Sequence, residues 1–246
     1  MQLTHAQKQH FMTHGYVHVP GVIPQVMVDK TLQAINHSVG QGMNKDEMVF
    51  LRAQSFCPEI KNTPIITDLY NKTPAIDLAK SLIGNIRPVG GAQVALRFPE
   101  IEDPPRPSRP HLDGMPSKTN GMKEGKLGNF TALLGVLLSD LPNPNAGNFT
   151  VWPGTHHQYE TYFREHGPQS LLNGMPPIDM PEPVQIQGKA GDIVLVHYLI
   201  AHGVTTNVSP HTRYACFFRL FHVDHEWERT MLEKWAYYDG LRDIVE

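Results

Sequence analysis

Cysteine is scarce in this chain of 246 residues: only Cys57 and Cys216 occur. Two cysteines make no disulfide framework, and a chain of this length buries roughly 70–75% of its unfolded surface, enough for a core without covalent staples. Cys216 lies in an apolar, strand-like run and reads as a small core residue rather than a reactive thiol. No apolar stretch reaches the roughly 18 residues of a membrane span. The N-terminal MQLTHAQKQH lacks the apolar segment of a signal peptide. A soluble, reducing, cytoplasmic setting is therefore expected. Neither sign of charge prevails: the formal net charge of -3 gives no general attraction for nucleic acid or an anionic membrane. Long linkers, low-complexity tracts and internal repeats are also lacking, so one domain spanning 1–246 is expected. Histidine, in contrast, is abundant at 14 residues, which motivates a search for metal ligands.

The first third of the chain, about 1–89, reads as mostly helical. Thr4 with Gln7 forms a capping box for a helix over Thr4–Thr13, followed by a strand at Tyr16–Pro20. Pro24 suits the first turn of a second helix with Val28, Leu32, Ile35 and Val39 on one face. Thr73-Pro74 opens another that Gly84 closes. From about 90 to 222 short apolar runs alternate with Pro and Gly, as in a β-sandwich or barrel. Strands are expected at Ala92–Phe98, Phe130–Leu138, Asn148–Trp152, Val184–Gln187, Asp192–Val196, Ala201–Val204 and Arg213–Phe221. Phe130–Leu138, apolar on both faces, suits a central covered strand. A C-terminal helix is expected over about 224–239, with Trp227, Met231, Trp235 and Tyr238 on one stripe. Three long connections, Pro99–Pro110, Gly114–Asn129 and His156–Pro183, are placed as lids around the mouth of a barrel. Substrate choice is expected chiefly in the third; its Tyr159, Tyr162 and Phe163 either line a pocket or pack the segment down.

The stretch Gly191–Leu220 reads as two buried strands joined through the turn formers Asn207–Pro210. If that hairpin turns between Asn207 and Val208, His202 faces Arg213 across the ladder. An imidazole and a guanidinium on an apolar face need anionic or metallic partners. His111 and Asp113, two apart in an extended segment, present a nitrogen and a carboxylate to one point. With His202 they make two histidines and one carboxylate, the facial set of non-haem Fe(II) oxygenases, which leaves three coordination positions open for a chelating 2-oxo acid and O2. Arg213 would then hold the far carboxylate of that acid in a bidentate pair. The tripeptide His-x-Asp alone is weak, since chance gives roughly 0.7 in such a chain. His222-Val223-Asp224 is a second instance, with no histidine far enough downstream to serve it. His197 is the rival distal ligand, lacking an arginine at the mirrored position. Two further readings stand beside this one: a zinc hydrolase, for which no general base is evident, and a catalytically silent barrel that binds a metal or 2-oxo acid as a sensor or interaction module.

Several motifs add to this. Phe11 with His14-Gly15-Tyr16-Val17-His18-Val19-Pro20-Gly21-Val22 resembles the N-terminal element of the phytanoyl-coenzyme A dioxygenase family. Asn145-Ala146-Gly147 and Trp152-Pro153-Gly154-Thr155-His156 are similar to its N-G and P-G-S-H stretches. Gly191-Asp192, His202, Asn207 and Arg213 are similar to its G-D, H, N and R signature. The resemblance implies a double-stranded β-helix, a jelly-roll with flanking helices. It also implies Fe(II) held by His111, Asp113 and His202, with 2-oxoglutarate on Arg213. Gln93 matches a family position that contacts the cosubstrate, with Arg97 beside it on the same alternating face, where a solvent-facing role is equally open for Arg97. Phe149 stands where many members carry threonine. Retention of Asp113, lost in halogenating relatives, implies hydroxylation of a small molecule with release of succinate and CO2.

Overall fold

The computed structural model describes residues 1–245. The chain runs α1 (His5–His14), β1 (Tyr16–Val19), α2 (Gln25–Gly40), α3 (Met48–Ala53), α4 (Pro64–Asn71) and α5 (Ala75–Ile83) before the main strands begin. These are β2 (Gln93–Arg97), β3 (Ala132–Leu137) and β4 (Phe149–Val151), then α6 (Thr155–His166) and β5 (Val184–Gln185). They continue with β6 (Ile193–His197), β7 (His202–Val204) and β8 (Arg213–Leu220), and the chain closes with α7 (Trp227–Leu232) and α8 (Arg242–Val245). No helix is long and apolar enough to cross a membrane.

Local chemistry accounts for the helix ends. Thr4 accepts from the Gln7 amide at 3.2 Å while Gln7 Oε1 accepts from the Thr4 amide at 2.9 Å, so the capping box forms as expected, and Gly15 ends α1 at φ 79°. Pro24 precedes α2, which buries Val28, Thr31 and Ile35 along one face. Gly84 closes α5, whose buried Ala75, Leu78, Ala79, Leu82 and Ile83 repeat with helical period.

All seven strands expected after residue 90 are present, and together with β1 they form two antiparallel sheets. One has five strands in the order β1-β6-β3-β8-β2, the other three in the order β5-β4-β7. The central β3 is buried along its whole length, as its two-sided apolar sequence requires. Alternation splits the large sheet between two cores. Val94, Leu134, Leu195 and Phe218 face the N-terminal helices, whereas Ala95, Leu133, Val194 and Phe217 face the small sheet with Phe149 and Val151. Position 135 of β3 points to the second face, where a Cβ would come within 2.8 Å of the Phe217 ring and glycine is the residue that fits.

Four expectations need correction. The fold is a mixed helix and sheet architecture, not mainly β: more residues lie in helices than in strands, and the two sheets do not close into a barrel among the described residues. The hairpin between β7 and β8 does not form. β7 pairs with β4, setting His202 opposite Val151, while β8 runs between β3 and β2 with Arg213 opposite Arg97. The eight residues 205–212 are a crossing between sheets rather than a tight turn. Asn207 fastens that crossing, donating from Nδ2 to the carbonyls of Arg97 and His211, each at 2.8 Å. The segment His156–Pro183 is not an open lid: α6 occupies its first part, and Tyr159 and Phe163 are fully buried in the second core. The C-terminal helix stops at Leu232. There Glu160 captures the Lys234 amide at 2.9 Å and its ammonium, and Tyr238 donates to the Thr131 carbonyl at 2.6 Å, so tertiary bonds override helix continuation.

Candidate metal centre

His111 enters as a strand-like extension of the small sheet. Its N–H donates to the His202 carbonyl at 2.9 Å and its carbonyl accepts from the His202 N–H at 3.0 Å, which fixes the two backbones side by side. Leu112 turns into the second core, so alternation puts His111 and Asp113 together on the opposite side, as their spacing requires. The donor atoms of His111, Asp113 and His202 all lie within 4.8 Å of one another. Nε2 of each histidine is 3.7 Å from Asp113 Oδ1, beyond hydrogen-bonding range and close enough for an ion to bridge all three.

The surrounding bonds leave the right atoms free. His202 Nδ1 donates to the Ile200 carbonyl at 3.2 Å, which directs the Nε2 lone pair inward. Asp113 Oδ2 accepts from Arg219 at 2.9 Å, leaving Oδ1 for a metal, and Tyr198 holds the Asp113 carbonyl at 2.9 Å. Burial opposes the Asp113 charge, but His202, Arg219 and His111 outweigh it and hold the carboxyl well below its ordinary range. His111 is 49% exposed along its outer edge, yet desolvation of its inner face and the neighbouring His202 push its pKa down to about 4. A neutral His111 imidazole beside an ionised Asp113 is the protonation state a divalent cation needs. The donor set fits the metal that the sequence implies.

A cavity of about 250 Å³ opens onto these three side chains. Arg213 lies in its wall, 2% exposed, with Nε donating to the Gly147 carbonyl at 2.8 Å and Nη1 to the Ala95 carbonyl at 3.0 Å. Its Nη2 is buried without a partner. Burial and the facing Arg97 push the Arg213 pKa well below the arginine value, the sign of a cation lacking an anion. Gly147, the glycine of the Asn145-Ala146-Gly147 motif, is required here: at φ 74°, a Cβ would meet the Arg97 and Arg213 side chains at 2.9 and 3.2 Å. Gln93 and Arg97 also line the cavity, opposite Phe217 and Arg213 in the ladder. Phe149 packs there at 5.5 Å from the His202 ring and 5.2 Å from Phe217, so this part of the wall is apolar.

The rival ligands lie elsewhere. His197 is buried beneath Tyr238, its Nε2 donating to the Lys234 carbonyl at 2.8 Å and its Nδ1 accepting from the Leu199 amide at 2.9 Å. His222 bonds Asp239 at 3.2 Å, and its Nδ1 accepts from the Asp224 amide at 3.1 Å with the Asp224 carboxylate at 3.9 Å. The Gly191-Asp192 motif is structural, since Asp192 accepts from the Gly21 and Lys189 amides at 2.8 and 2.9 Å and holds His18. No residue of His156–Pro183 lines the cavity, which instead is bordered by Arg52 and Ala53 of α3. Sequence reasoning missed Arg219. The signal was available in the alternation Arg213, Ala215, Phe217, Arg219, which puts all four on the cavity face of β8.

A family model described as phytanoyl-CoA dioxygenase (PhyH) matches residues 11–215. No curated protein matches the chain. Among solved structures, SnoK, a non-heme alpha ketoglutarate dependent carbocyclase from nogalamycin biosynthesis, aligns at 18% identity with a TM-score of 0.60, covering 90% of this chain and 85% of its own. SnoN, the epimerase of the same biosynthesis, aligns at 22% and 0.58 over 88% and 80%. HygX from Streptomyces hygroscopicus, solved with nickel and 2-oxoglutarate bound, aligns at 17% and 0.60 over 91% and 89%. At these identities the likeness is one of fold.

Proposed function

The chain belongs to the phytanoyl-CoA dioxygenase (PhyH) family, and on that footing we propose that it is a non-haem Fe(II)- and 2-oxoglutarate-dependent dioxygenase that hydroxylates a small molecule. The observation that carries this reading is the buried, partnerless Nη2 of Arg213, in the same cavity as two histidines and a carboxylate converging on one point. His111, Asp113 and His202 would hold Fe(II), and Arg213 the far carboxylate of 2-oxoglutarate, with Gln93 and Arg97 as further contacts. The metal supplies the activation of O2, with 2-oxoglutarate giving succinate and CO2 as one oxygen atom is transferred to the substrate. The protein residues orient the two cosubstrates: Arg219 steers Oδ1 of Asp113 inward, Ile200 fixes the His202 tautomer, and Phe149 and Phe217 keep the inner wall apolar. We read the two antiparallel sheets as a distorted double-stranded β-helix and the whole chain as one unit around it.

Anaerobic titration of Fe(II) and 2-oxoglutarate tests the assignment through the charge-transfer band of the chelate, followed in air by succinate release and a search for substrate products carrying one added oxygen. Arg213→Leu removes one partner of a buried charged pair, worth about 2–5 kcal/mol, so 2-oxoglutarate should bind roughly 30-fold to several thousand-fold more weakly while Fe(II) affinity holds. Unchanged cosubstrate affinity in this variant would overturn the role of Arg213.

A further inference from the structure

We propose that the substrate carries an anionic group, a carboxylate or a phosphate ester, and that Arg52 and Arg109 receive it at the mouth of the metal cavity, an inference that rests on the functional reading above. A second groove of about 420 Å³ shares Arg52, Arg97, His111 and Val204 with the metal cavity. A molecule with its reacting carbon beside His111 therefore extends directly into this groove. The charged lining is one-sided: Arg52, Arg97, Arg106 and Arg109 against the single carboxylate of Glu100.

Along the sequence the charges of 99–129 nearly cancel, but folding separates them. Arg106 takes up most of the acid, bonding Glu100 at 2.8 Å and also pairing with Glu102, which Thr206 and the Arg106 amide hold from the other side at 2.8 and 3.3 Å. Arg52 is left with the other oxygen of Glu100 at a long 3.4 Å. Among the described residues Arg109 makes no ion pair, and Arg97 bonds only its neighbour's carbonyl, Leu96, at 2.9 Å. Burial first, and then the approach of Arg52, depress the Arg97 pKa, as for guanidiniums crowded without enough counter-charge. The adjoining flank around Asp113, lined by the neutral Gln54, Asn120 and Asn129, holds Lys61 together with Arg219, which is already paired with Asp113. An elongated substrate would thus lie with its anionic end between Arg52 and Arg109. Paired guanidiniums suit that role, because each offers a fork of donors to an oxyanion.

The test uses two matched pairs of probes, phenylacetate with phenylacetamide and phenyl phosphate with phenol. Each is titrated calorimetrically at low ionic strength, where exposed charges are least screened. Protein loaded with Fe(II) and 2-oxoglutarate without O2, and metal-free protein, are both measured. In at least one pair the anion should bind about 10- to 100-fold more tightly than its neutral counterpart. The Arg52→Gln, Arg109→Gln double variant should lose that preference while keeping the Fe(II)–2-oxoglutarate band, and Arg109→Glu alone should weaken it in the same direction. The carboxylate and phosphate arms distinguish the two sources of charge. If both members of both pairs bind alike to the wild type, or if the preference survives the double substitution, the inference is wrong. A wild-type protein that forms no Fe(II)–2-oxoglutarate band defeats the functional reading instead, and the metal-free titration still decides the anion preference by itself.

Discussion

Two groups of histidines differ in what their ring nitrogens do. In the candidate metal centre, His202 spends Nδ1 on the Ile200 carbonyl and leaves Nε2 facing Asp113 and His111 across 3.7 Å gaps. In the aromatic cluster of His156, His157, His197, Trp235 and Tyr238, the nitrogens of His197 are both consumed by backbone groups. His156 likewise donates Nε2 to the Met12 carbonyl and turns its buried Nδ1 toward Gly15, whose hypothetical Cβ would sit 2.8 Å away. Residue type is alike in the two groups, and His202 is buried as His156 and His197 are. What separates a ligand from a core histidine is a free lone pair aimed at a carboxylate in an open cavity.

Exchanging the losses between the two groups should give the largest effects. His111→Ala, Asp113→Ala or His202→Ala should each bring Fe(II)-dependent succinate release below detection with a small change in melting temperature. His197→Ala should do the reverse. It removes two hydrogen bonds and a ring stacked at 5.0 Å on Tyr238, a loss of about 2–4 kcal/mol, or roughly 5–10 °C in melting temperature. Its Fe(II) and 2-oxoglutarate affinities should be unchanged. Succinate assays and melts on the same samples decide the matter, and an active His202→Ala beside an inactive His197→Ala would reverse the two roles.

Arg219 sharpens the contrast within the metal centre. It donates to Asp113 Oδ2 at 2.9 Å, reaches Gln93 Oε1 at a long 3.4 Å and lies over the Phe130 ring, so it would act on a bound ion through Asp113. Outer partners of this kind typically change metal affinity or activity by about 10- to 100-fold. Arg219→Gln should weaken Fe(II) binding in that range with 2-oxoglutarate affinity at saturating metal preserved, and Arg219→Lys should recover part of it. Equal Fe(II) affinity in wild type and Arg219→Gln would show that the contact is only a surface ion pair.

The legible part of the sequence was the part governed by local rules. The capping box at Thr4, the seven strands and the shared side of His111 and Asp113 follow from spacing alone, because caps and alternation need only neighbouring residues. Register between distant strands was not legible. The link between β7 and β8 contains turn formers in either case, and only the bonds from Asn207 to Arg97 and His211 decide that it crosses between sheets. His202 and Arg213 line one cavity but are not ladder partners, so the expected facing positions do not hold. α6 was hidden because its first turn begins in a Pro-Gly stretch and its face is read only against Met231 and Leu171. The end of α7 was hidden for a similar reason, since the Glu160 to Lys234 bonds that stop it span 74 residues.

The comparison can also be probed by pH, with the smallest effect, since it leaves catalysis at neutral pH untouched. Burial pushes the His197 pKa down to about 4, against an unfolded value near 6.5. The bonding explains the direction, because protonating Nδ1 would set a second N–H against the Leu199 amide. His156 is pushed lower still, to about 2, by burial and then by His197 and His157. With a depressed folded value, the unfolded chain takes up the proton first as pH falls. The contribution of neutral His197 is thus fully present above pH 6.5 and is lost on the way down to about 4, below which the slope ends. Between pH 6.5 and 5 this amounts to about 2 kcal/mol, or roughly 4–8 °C. His197→Gln keeps an amide donor for the Lys234 carbonyl and does not titrate. It should melt below the wild type at pH 7 and approach it at pH 5, so that the two curves converge. Parallel curves over this range would show that His197 ionises as freely in the folded protein as in the unfolded chain.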